Sequence, residues 1–224
     1  MIRAVIFDLW NTLVSDSLNF PKLISLLKQE HLSKKEFIVK YEKSVQLKRY
    51  KSFSEMHKDY LRAFNRAPHE LAEDMLKEIY FKRENKIKIF PEVDSALSSL
   101  KNTGLKLALL SNTENILTDK IAKETKLFTY FDALCLSCDI GALKPSKIAF
   151  GCALSKLKVK PSEALMVGDS LRADICGSKD FGLHNCLINR SGKVLDYADV
   201  VPEYEIKSLN EVKRVVGELN AKKE

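Results

Sequence analysis

Short apolar runs alternate with longer stretches of helical spacing along most of the chain. The strand-like runs cover residues 3–8, 105–111, 133–138, 164–168, 184–188 and 198–201. Helical spacing covers residues 91–103, 113–126, 146–157, 171–181 and 208–219. Strands that alternate with helices of this length are typical of βαβ units, in which the strands run parallel. The pattern therefore predicts an α/β fold built on a parallel sheet.

One region breaks this alternation, because residues 15–88 show helical spacing and no convincing strand. Leu23, Leu26 and Leu27 illustrate that spacing. We interpret the region as a helical domain inserted after the first strand, which leaves residues 1–14 and 89–224 as the core. An insertion placed here would overhang the end of the first strand, so we expect it to act as a lid. An ordinary helical subdomain without a gating role is the alternative.

The first strand-like run, Val5-Ile6-Phe7, ends abruptly in Asp8. An apolar run of this kind is typical of a buried central strand, and open α/β sheets bind ligands at the carboxyl ends of such strands. An ionised carboxylate at a half-buried position is costly unless a metal ion or a covalent reaction compensates it. Asp8 is therefore a candidate nucleophile or metal ligand, although it could also cap a turn or a helix.

Two further segments carry polar groups that could bind an anion. Ser111 and Asn112 follow a strand-like run, and their hydroxyl and amide groups could hydrogen-bond an oxyanion or cap the next helix. Lys144 precedes Pro145 and could present its ammonium group to a phosphate. An ordinary surface lysine is the alternative in a chain this rich in lysine.

A second apolar run ends in Gly168-Asp169, and Asp174 follows five residues later. Two carboxylates near one strand end, together with Asp8, would make an oxygen-rich site that suits Mg²⁺. Carboxylates this close repel one another unless a cation or a shared proton lies between them.

Taken together, these four segments resemble the haloacid dehalogenase (HAD) superfamily of hydrolases in order and spacing, from Asp8 to about residue 190. The resemblance includes a helical cap domain inserted after the first motif. It implies a Rossmann-like parallel-sheet core with helices on both faces, and a reaction through a covalent aspartyl intermediate.

The resemblance also implies a role for each matching residue. The catalytic set would be Asp8 as nucleophile, Thr12 orienting its loop, and Lys144. The substrate would contact Trp10, Asn11, Ser111, Asn112 and Lys144. Mg²⁺ would be held by Asp8, the backbone carbonyl of Trp10, Asp169 and Asp174.

The chain departs from the family's phosphatases at Trp10. Those enzymes carry a second aspartate two residues after the nucleophile, which protonates the leaving alcohol and later activates water. The indole of Trp10 cannot do this at neutral pH. General acid–base help of this kind is typically worth about 10²–10⁴ in rate. The family's dehalogenases carry an aromatic residue at this position, usually tyrosine.

Two enzymatic interpretations therefore stay open. We favour a Mg²⁺-dependent phosphatase acting on a small phosphorylated metabolite, because such enzymes share the Gly168-Asp169 and Asp174 pattern. A haloacid dehalogenase is the alternative, but those enzymes need no metal and use an arginine of the cap, for which Arg49 and Arg62 are candidates.

A third interpretation is a non-catalytic binding module on the same fold. Intact Asp8, Lys144 and Asp169 argue against it, because a site without activity need not keep them.

The amino-acid composition limits the classes of binding partner that we expect. Hydrophobic residues make up 45% of 224, enough for a real core. The net charge of +7 suits small anionic substrates, and lysines scattered among glutamates favour a solvated surface over a nucleic-acid site. No apolar stretch could cross a bilayer and no signal-peptide pattern is visible, so we expect a cytoplasmic protein. We expect a monomer or a homodimer.

The cysteines suggest no secreted framework. Five are present, an odd number, and Cys135 and Cys138 form a C-x-x-C pair. A zinc site would need two more ligands, so we favour buried thiols on a strand over metal binding.

Overall fold

A computed structural model describes residues 1–15, 18–84, 87–192 and 200–222. Its strands are β1 (Ala4–Phe7), β2 (Lys106–Ser111), β3 (Ala133–Leu136), β4 (Ala164–Gly168), β5 (His184–Ile188) and β6 (Tyr204–Ile206). They form one sheet in the order β3-β2-β1-β4-β5-β6, and every pair is parallel. The predicted α/β fold with a parallel sheet is confirmed, and its Rossmann-like form with it.

Helices fill the connections between these strands. Between β1 and β2 lie α1 (Phe20–Leu26), α2 (Lys34–Val45), α3 (Phe53–Ala63), α4 (Glu73–Glu84) and α5 (Val93–Asn102). After β2 come α6 (Asn115–Glu124), α7 (Ser137–Ile140), α8 (Lys147–Leu157), α9 (Gly177–Asp180) and α10 (Val212–Ala221). A π-helical stretch, Leu171–Cys176, leads directly into α9. No helix in the described part of the chain is both long and apolar enough to cross a membrane.

The core lies on both faces of the sheet, and β1 belongs to both halves. Val5 and Phe7 pack into one hydrophobic cluster, whereas Ala4 and Ile6 pack into the cluster on the opposite face. Successive side chains of a strand alternate between faces, so a strand buried on both sides needs apolar residues at every position. This is the physical reason why the segment before Asp8 is a continuous apolar run.

The order of the strands positions the site. The chain builds outward from β1 to β2 and β3, then returns to the other side of β1 with β4. The connections that leave β1 and β4 therefore run to opposite sides. In sheets of this kind the reversal opens a crevice at the carboxyl ends of the two strands. Asp8 and Asp169 stand directly after these two strands.

The chain passes twice between the sheet and the helical segment α1–α4, and these two stretches run side by side. The Ser15 amide donates to the Lys88 carbonyl at 2.8 Å, and the Phe90 amide donates to the Leu13 carbonyl at 3.0 Å. Val14 and Ile89 form an antiparallel bridge between the same two chains. The predicted boundaries between the core and the helical domain, at residues 14/15 and 88/89, stay a prediction. The hydrogen bonds between the two connecting chains at these residues favour it.

Two local predictions need correction. The sixth strand was predicted at residues 198–201, of which 198 and 199 lie outside the described residues; residues 200 and 201 are not in a strand, and β6 is Tyr204–Ile206. The strand predicted over 133–138 ends at Leu136, because Ser137 begins α7. Cys138 therefore lies on a short helix, although Cys135 and Cys138 are both buried thiols, as predicted.

Candidate active site

Three aspartates converge at the carboxyl ends of β1 and β4. Asp8, Asp169 and Asp174 each offer a carboxylate oxygen, and these oxygens lie within 4.8 Å of one another. Asp8 and Asp174 are buried and Asp169 is half-buried. The carboxylate cluster predicted from the strand ends is therefore brought together by the fold.

The turn after β4 holds Asp174 in place. The Ser170 amide donates to Asp174 Oδ2 at 3.0 Å, and Ser170 Oγ accepts from the Ala173 amide at 3.1 Å. A Cβ atom at position 168 would overlap the carboxylate of Asp174. Glycine is therefore required before Asp169 because the second carboxylate packs directly against the backbone there.

Lys144 lies between two of the carboxylates. Its Nζ atom is 2.5 Å from Asp8 Oδ1 and 2.6 Å from Asp174 Oδ1, and the side chain is 2% exposed. Asn112 holds the backbone of this lysine: its Oδ1 accepts from the Lys144 amide at 2.7 Å, and its Nδ2 donates to the Lys144 carbonyl at 3.1 Å. Asn112 thus positions the cation of the site.

Burial dominates the electrostatics of these groups. It raises the pKa of Asp8 to about 6, a rise that Lys144 opposes and Asp174 increases. Burial also raises the pKa of Asp169, and the nearby Asp8 and Asp174 raise it further. Burial alone would lower the pKa of Lys144, but Asp174 and Asp8 raise it above its usual value, so the lysine stays charged.

Thr12, in the turn after Asp8, and Ser111, at the end of β2, carry buried hydroxyls, and neither residue lines the cavity onto which the aspartates open. Ser111 Oγ and Thr12 Oγ1 have no hydrogen-bond partner among the described residues. Leaving a buried polar group unpaired costs about 1–3 kcal/mol, so such groups call for a ligand or water. Asn11, in the left-handed region at φ +58°, hydrogen-bonds Asp169.

Trp10 is turned toward the core as well as the site. It is 8% exposed, and its indole Nε1 donates to Thr113 Oγ1 at 3.2 Å. The indole therefore has a structural partner at the position where the family's phosphatases carry an aspartate.

A cavity of about 180 Å³ opens onto the cluster. Its core wall includes Asp8, Trp10, Asn11, Asn112, Lys144, Asp169 and Asp174. The helical segment adds Leu18, Phe20, Ile38, Tyr41, Glu42 and Gln46. Glu42 is the acidic side chain of this wall, and its Oε1 accepts from Asn112 Nδ2 at 3.1 Å while its Oε2 lies 2.5 Å from Arg172 Nη2.

The two arginines named as dehalogenase candidates lie elsewhere. Arg49 forms ion pairs with Asp119 at 2.5 Å and Asp139 at 2.8 Å. Arg62 is 77% exposed and pairs with Asp59 at 3.2 Å. Neither lines the cavity, and its lining by described residues contains no arginine.

Arg190, which follows β5, was missed by sequence reasoning. Its Nη2 donates to the Thr12 carbonyl at 2.6 Å, its Nε donates to the Asn11 carbonyl at 3.2 Å, and its Nη1 lies 2.6 Å from Glu92 Oε1. The guanidinium carbon also lies 3.7 Å from the centroid of the Phe90 ring. Arg190 thereby ties the loop after Asp8 to the rest of the core. Its place just beyond a predicted strand is the one signal that could have identified it.

Comparison with models of known protein families identifies the family of this chain. The sequence model of the haloacid dehalogenase-like hydrolases matches residues 2–182. The chain belongs to this family. The resemblance inferred from the four motifs is therefore confirmed, and the protein is a hydrolase of the HAD type.

Relatives of this HAD-like hydrolase differ in their described chemistry. PpaX of Clostridium perfringens, described as a candidate pyrophosphatase, is 27% identical over 99% of this chain and 100% of its own. The (S)-2-haloacid dehalogenase of Pseudomonas sp. strain YL is 33% identical over 55% of this chain, which spans 53% of that enzyme. A HAD phosphatase structure from Thermococcus onnurineus superposes with a TM-score of 0.64 at 27% identity, covering 96% of this chain and 98% of its own.

Replacing Lys144 with methionine should lower the free energy of unfolding of this hydrolase by about 3–5 kcal/mol, because Asp8 and Asp174 would stay buried without their shared counter-charge. Urea denaturation in EDTA near neutral pH measures the change. Lys101→Met removes an exposed ion pair with Asp132 (2.6 Å) and should shift the midpoint little. A loss no larger than in this control would contradict the proposed role of the ion pairs.

Replacing Arg190 with methionine should cost about 2 kcal/mol of stability, because two backbone carbonyls and Glu92 lose a charged donor. It should also lower kcat more than it raises KM, since the loop that carries Asp8 loses its anchor. Arg214→Met, which removes exposed pairs with Glu211 and Glu218, is the control. Unchanged kcat in Arg190→Met would show that the anchor has no part in positioning Asp8.

Proposed function

We propose that this HAD-like hydrolase is a Mg²⁺-dependent phosphatase acting on a small phosphorylated metabolite, with residues 15–88 serving as its cap. The small anionic substrate, the cytoplasmic location and the choice between monomer and homodimer stay predictions of the sequence. The observation that carries the proposal is the charge of the site, because three clustered carboxylates face one ammonium group.

A divalent cation fits this donor set. Burial and mutual repulsion raise the pKa of Asp8 and of Asp169, so ionising all three carboxylates costs free energy. In the fully ionised form, three negative charges face one positive charge, and a bound divalent cation would offset the remaining two. Carboxylate and carbonyl oxygens are the ligands that Mg²⁺ prefers. We propose that Asp8, Asp169, Asp174 and the backbone carbonyl of Trp10 hold the ion. Mg²⁺ bound there would offset the charge of the carboxylates and of the transferring phosphoryl group.

Asp8 is the proposed nucleophile. One of its carboxylate oxygens bonds to phosphorus as the bond from phosphorus to the leaving oxygen breaks. Water then cleaves the aspartyl phosphate, which frees the carboxylate and releases inorganic phosphate. We propose that Ser111 Oγ, a buried hydroxyl without a partner among the described residues, donates to a phosphoryl oxygen, and that Lys144 supplies positive charge to the same group. Thr12 would orient the nucleophile loop.

Trp10 sets a limit on the substrates. Its indole is committed to Thr113, and position 10 carries no carboxyl group that could protonate the leaving oxygen. Esters whose alcohols leave easily as anions should therefore react much faster than alkyl phosphates.

The dehalogenase alternative finds less support in the site. Arg49 and Arg62, the candidates for holding a halide and a substrate carboxylate, both pair with aspartates away from the cavity. A binding module without catalysis also has less support, because Asp8, Lys144 and Asp174 are held in direct ion pairs at the strand ends.

Phosphate release from p-nitrophenyl phosphate should need Mg²⁺ and stop in EDTA, while 2-chloropropionate should release no chloride under either condition. Asp8→Asn should abolish phosphate release, because an amide oxygen is a poor nucleophile, and it should keep the native circular dichroism spectrum. Asp74→Asn changes an exposed aspartate and is the control. Chloride release that persists in EDTA would refute the phosphatase proposal.

Trp10→Asp should raise kcat on glycerol 3-phosphate by about 10²-fold, the lower end of what a positioned acid contributes, and much less on p-nitrophenyl phosphate. It should also cost about 3 kcal/mol of stability, because a buried indole is lost. Trp10→Asn is the matched control, since it loses the same packing and gains no acid. Equal rates for the two variants would mean that a carboxyl group at this position does not act as the acid.

A further inference from the structure

A second cavity of about 660 Å³ adjoins the cavity at the aspartate cluster. Ile38, Glu42 and Ser170 line both cavities, so the two share a wall. Sites for small molecules usually enclose about 300–1,000 Å³. The 180 Å³ at the aspartates falls below that range, so most of a substrate beyond its phosphoryl group must lie in a neighbouring space.

The second cavity is rich in positive charge. Lys34, Lys35 and Arg172 line it, and Glu42 is the one carboxylate among the described residues of its lining. Clefts lined by one sign of charge concentrate ligands of the opposite sign. A further cavity that Arg172 also lines contains Lys43 and Lys144, but Lys144 is held by Asp8 and Asp174, so fewer of its cations are available to an anion.

The two lysines among these cations are exposed and available to a ligand, whereas Arg172 is already paired with Glu42. Among the described residues no acidic side chain forms an ion pair with Lys34 or Lys35, whereas many other lysines of the chain are paired. Lys34 Nζ lies 5.7 Å from the centroid of the Phe20 ring, which lines the cavity at the aspartates. This lysine therefore stands at the boundary of the two spaces.

Arg172 also stands at the boundary. It follows Asp169 in the turn after β4, and its Nη2 holds Glu42 Oε2 at 2.5 Å. The other oxygen of Glu42 accepts from Asn112, so one carboxylate joins Arg172 to a residue of the cavity at the aspartates. Arginine presents a planar set of donors that suits carboxylate and phosphate groups equally.

We propose that the second cavity binds a further anionic group of the substrate, a carboxylate or a second phosphate, through Lys34, Lys35 and Arg172. The substrate class is then phosphomonoesters that carry another anionic group on a short carbon chain. This inference rests on the proposed phosphatase function and names the substrate class of the same site.

The test compares three esters that share a three-carbon chain. These are 3-phosphoglycerate with a carboxylate, propane-1,3-diol bisphosphate with a second phosphate, and glycerol 3-phosphate with neither. Wild-type kcat/KM should be about tenfold higher for one of the two esters with a second anionic group than for glycerol 3-phosphate, since partly exposed ion pairs are each worth a fraction of that factor. The ester that is preferred identifies which group the cavity binds, and the preference should shrink as salt is added.

Substitutions in the second cavity test which residues cause this substrate preference. In Lys34→Gln/Lys35→Gln the preference should fall severalfold, and in Arg172→Gln it should also fall, whereas Lys213→Gln on α10 should keep the wild-type ratio. Equal kcat/KM for all three esters, or a preference that survives in both variants, would overturn the proposal while leaving the phosphatase function in place.

Binding to the Asp8→Asn protein in Mg²⁺, measured by calorimetry, separates this proposal from the phosphatase function. The preferred ester with a second anionic group should bind about tenfold more tightly than glycerol 3-phosphate. If neither p-nitrophenyl phosphate nor any of the three esters is hydrolysed, the phosphatase function fails, and the calorimetric comparison still decides the cavity. Equal dissociation constants there would refute the anionic-group proposal.

Discussion

The ion pairs of buried Lys144 with Asp8 and Asp174 are the interaction on which the site depends. The carboxylates of Asp8 and Asp174 are both buried and would repel each other. The ammonium group of Lys144 lies between them and offsets this repulsion. Asp169 adds a third carboxylate that this lysine alone does not offset. The charge of this third carboxylate is the basis of the proposed divalent-cation site.

The fold supplies this convergence through the order of its strands. Because β1 and β4 are neighbours although many residues separate them, Asp8 and the turn of Asp169 and Asp174 meet at one edge of the sheet. The supporting contacts come from further away: Asn112 after β2 holds the Lys144 backbone, and Arg190 after β5 holds the loop of Asp8. The helical segment contributes Glu42, which lines the cavity at the aspartates and accepts a hydrogen bond from Asn112.

Sequence reasoning could identify the residues whose signal is local. Asp8 and Asp169 each end an apolar run, so the strand and the charge could be predicted together. Arg190 could not, because its partner carbonyl at Thr12 lies 178 residues away and no spacing encodes such a contact. Strand β6 was misplaced because it has three residues at the sheet edge and only Ile206 is buried, which leaves a weak apolar pattern. The pairing of Glu42 with Arg172 likewise depends on how α2 packs over the core.

Calorimetric titration of Mg²⁺ into the wild-type protein and the Asp169→Asn variant, near neutral pH, tests the central claim most directly. If the surplus carboxylate charge is completed by a divalent cation, the wild type binds one Mg²⁺ ion and the variant binds it at least about tenfold more weakly, since charged oxygen ligands set the affinity of such sites. Absence of binding to the wild type, or equal affinity in the two proteins, would contradict the account.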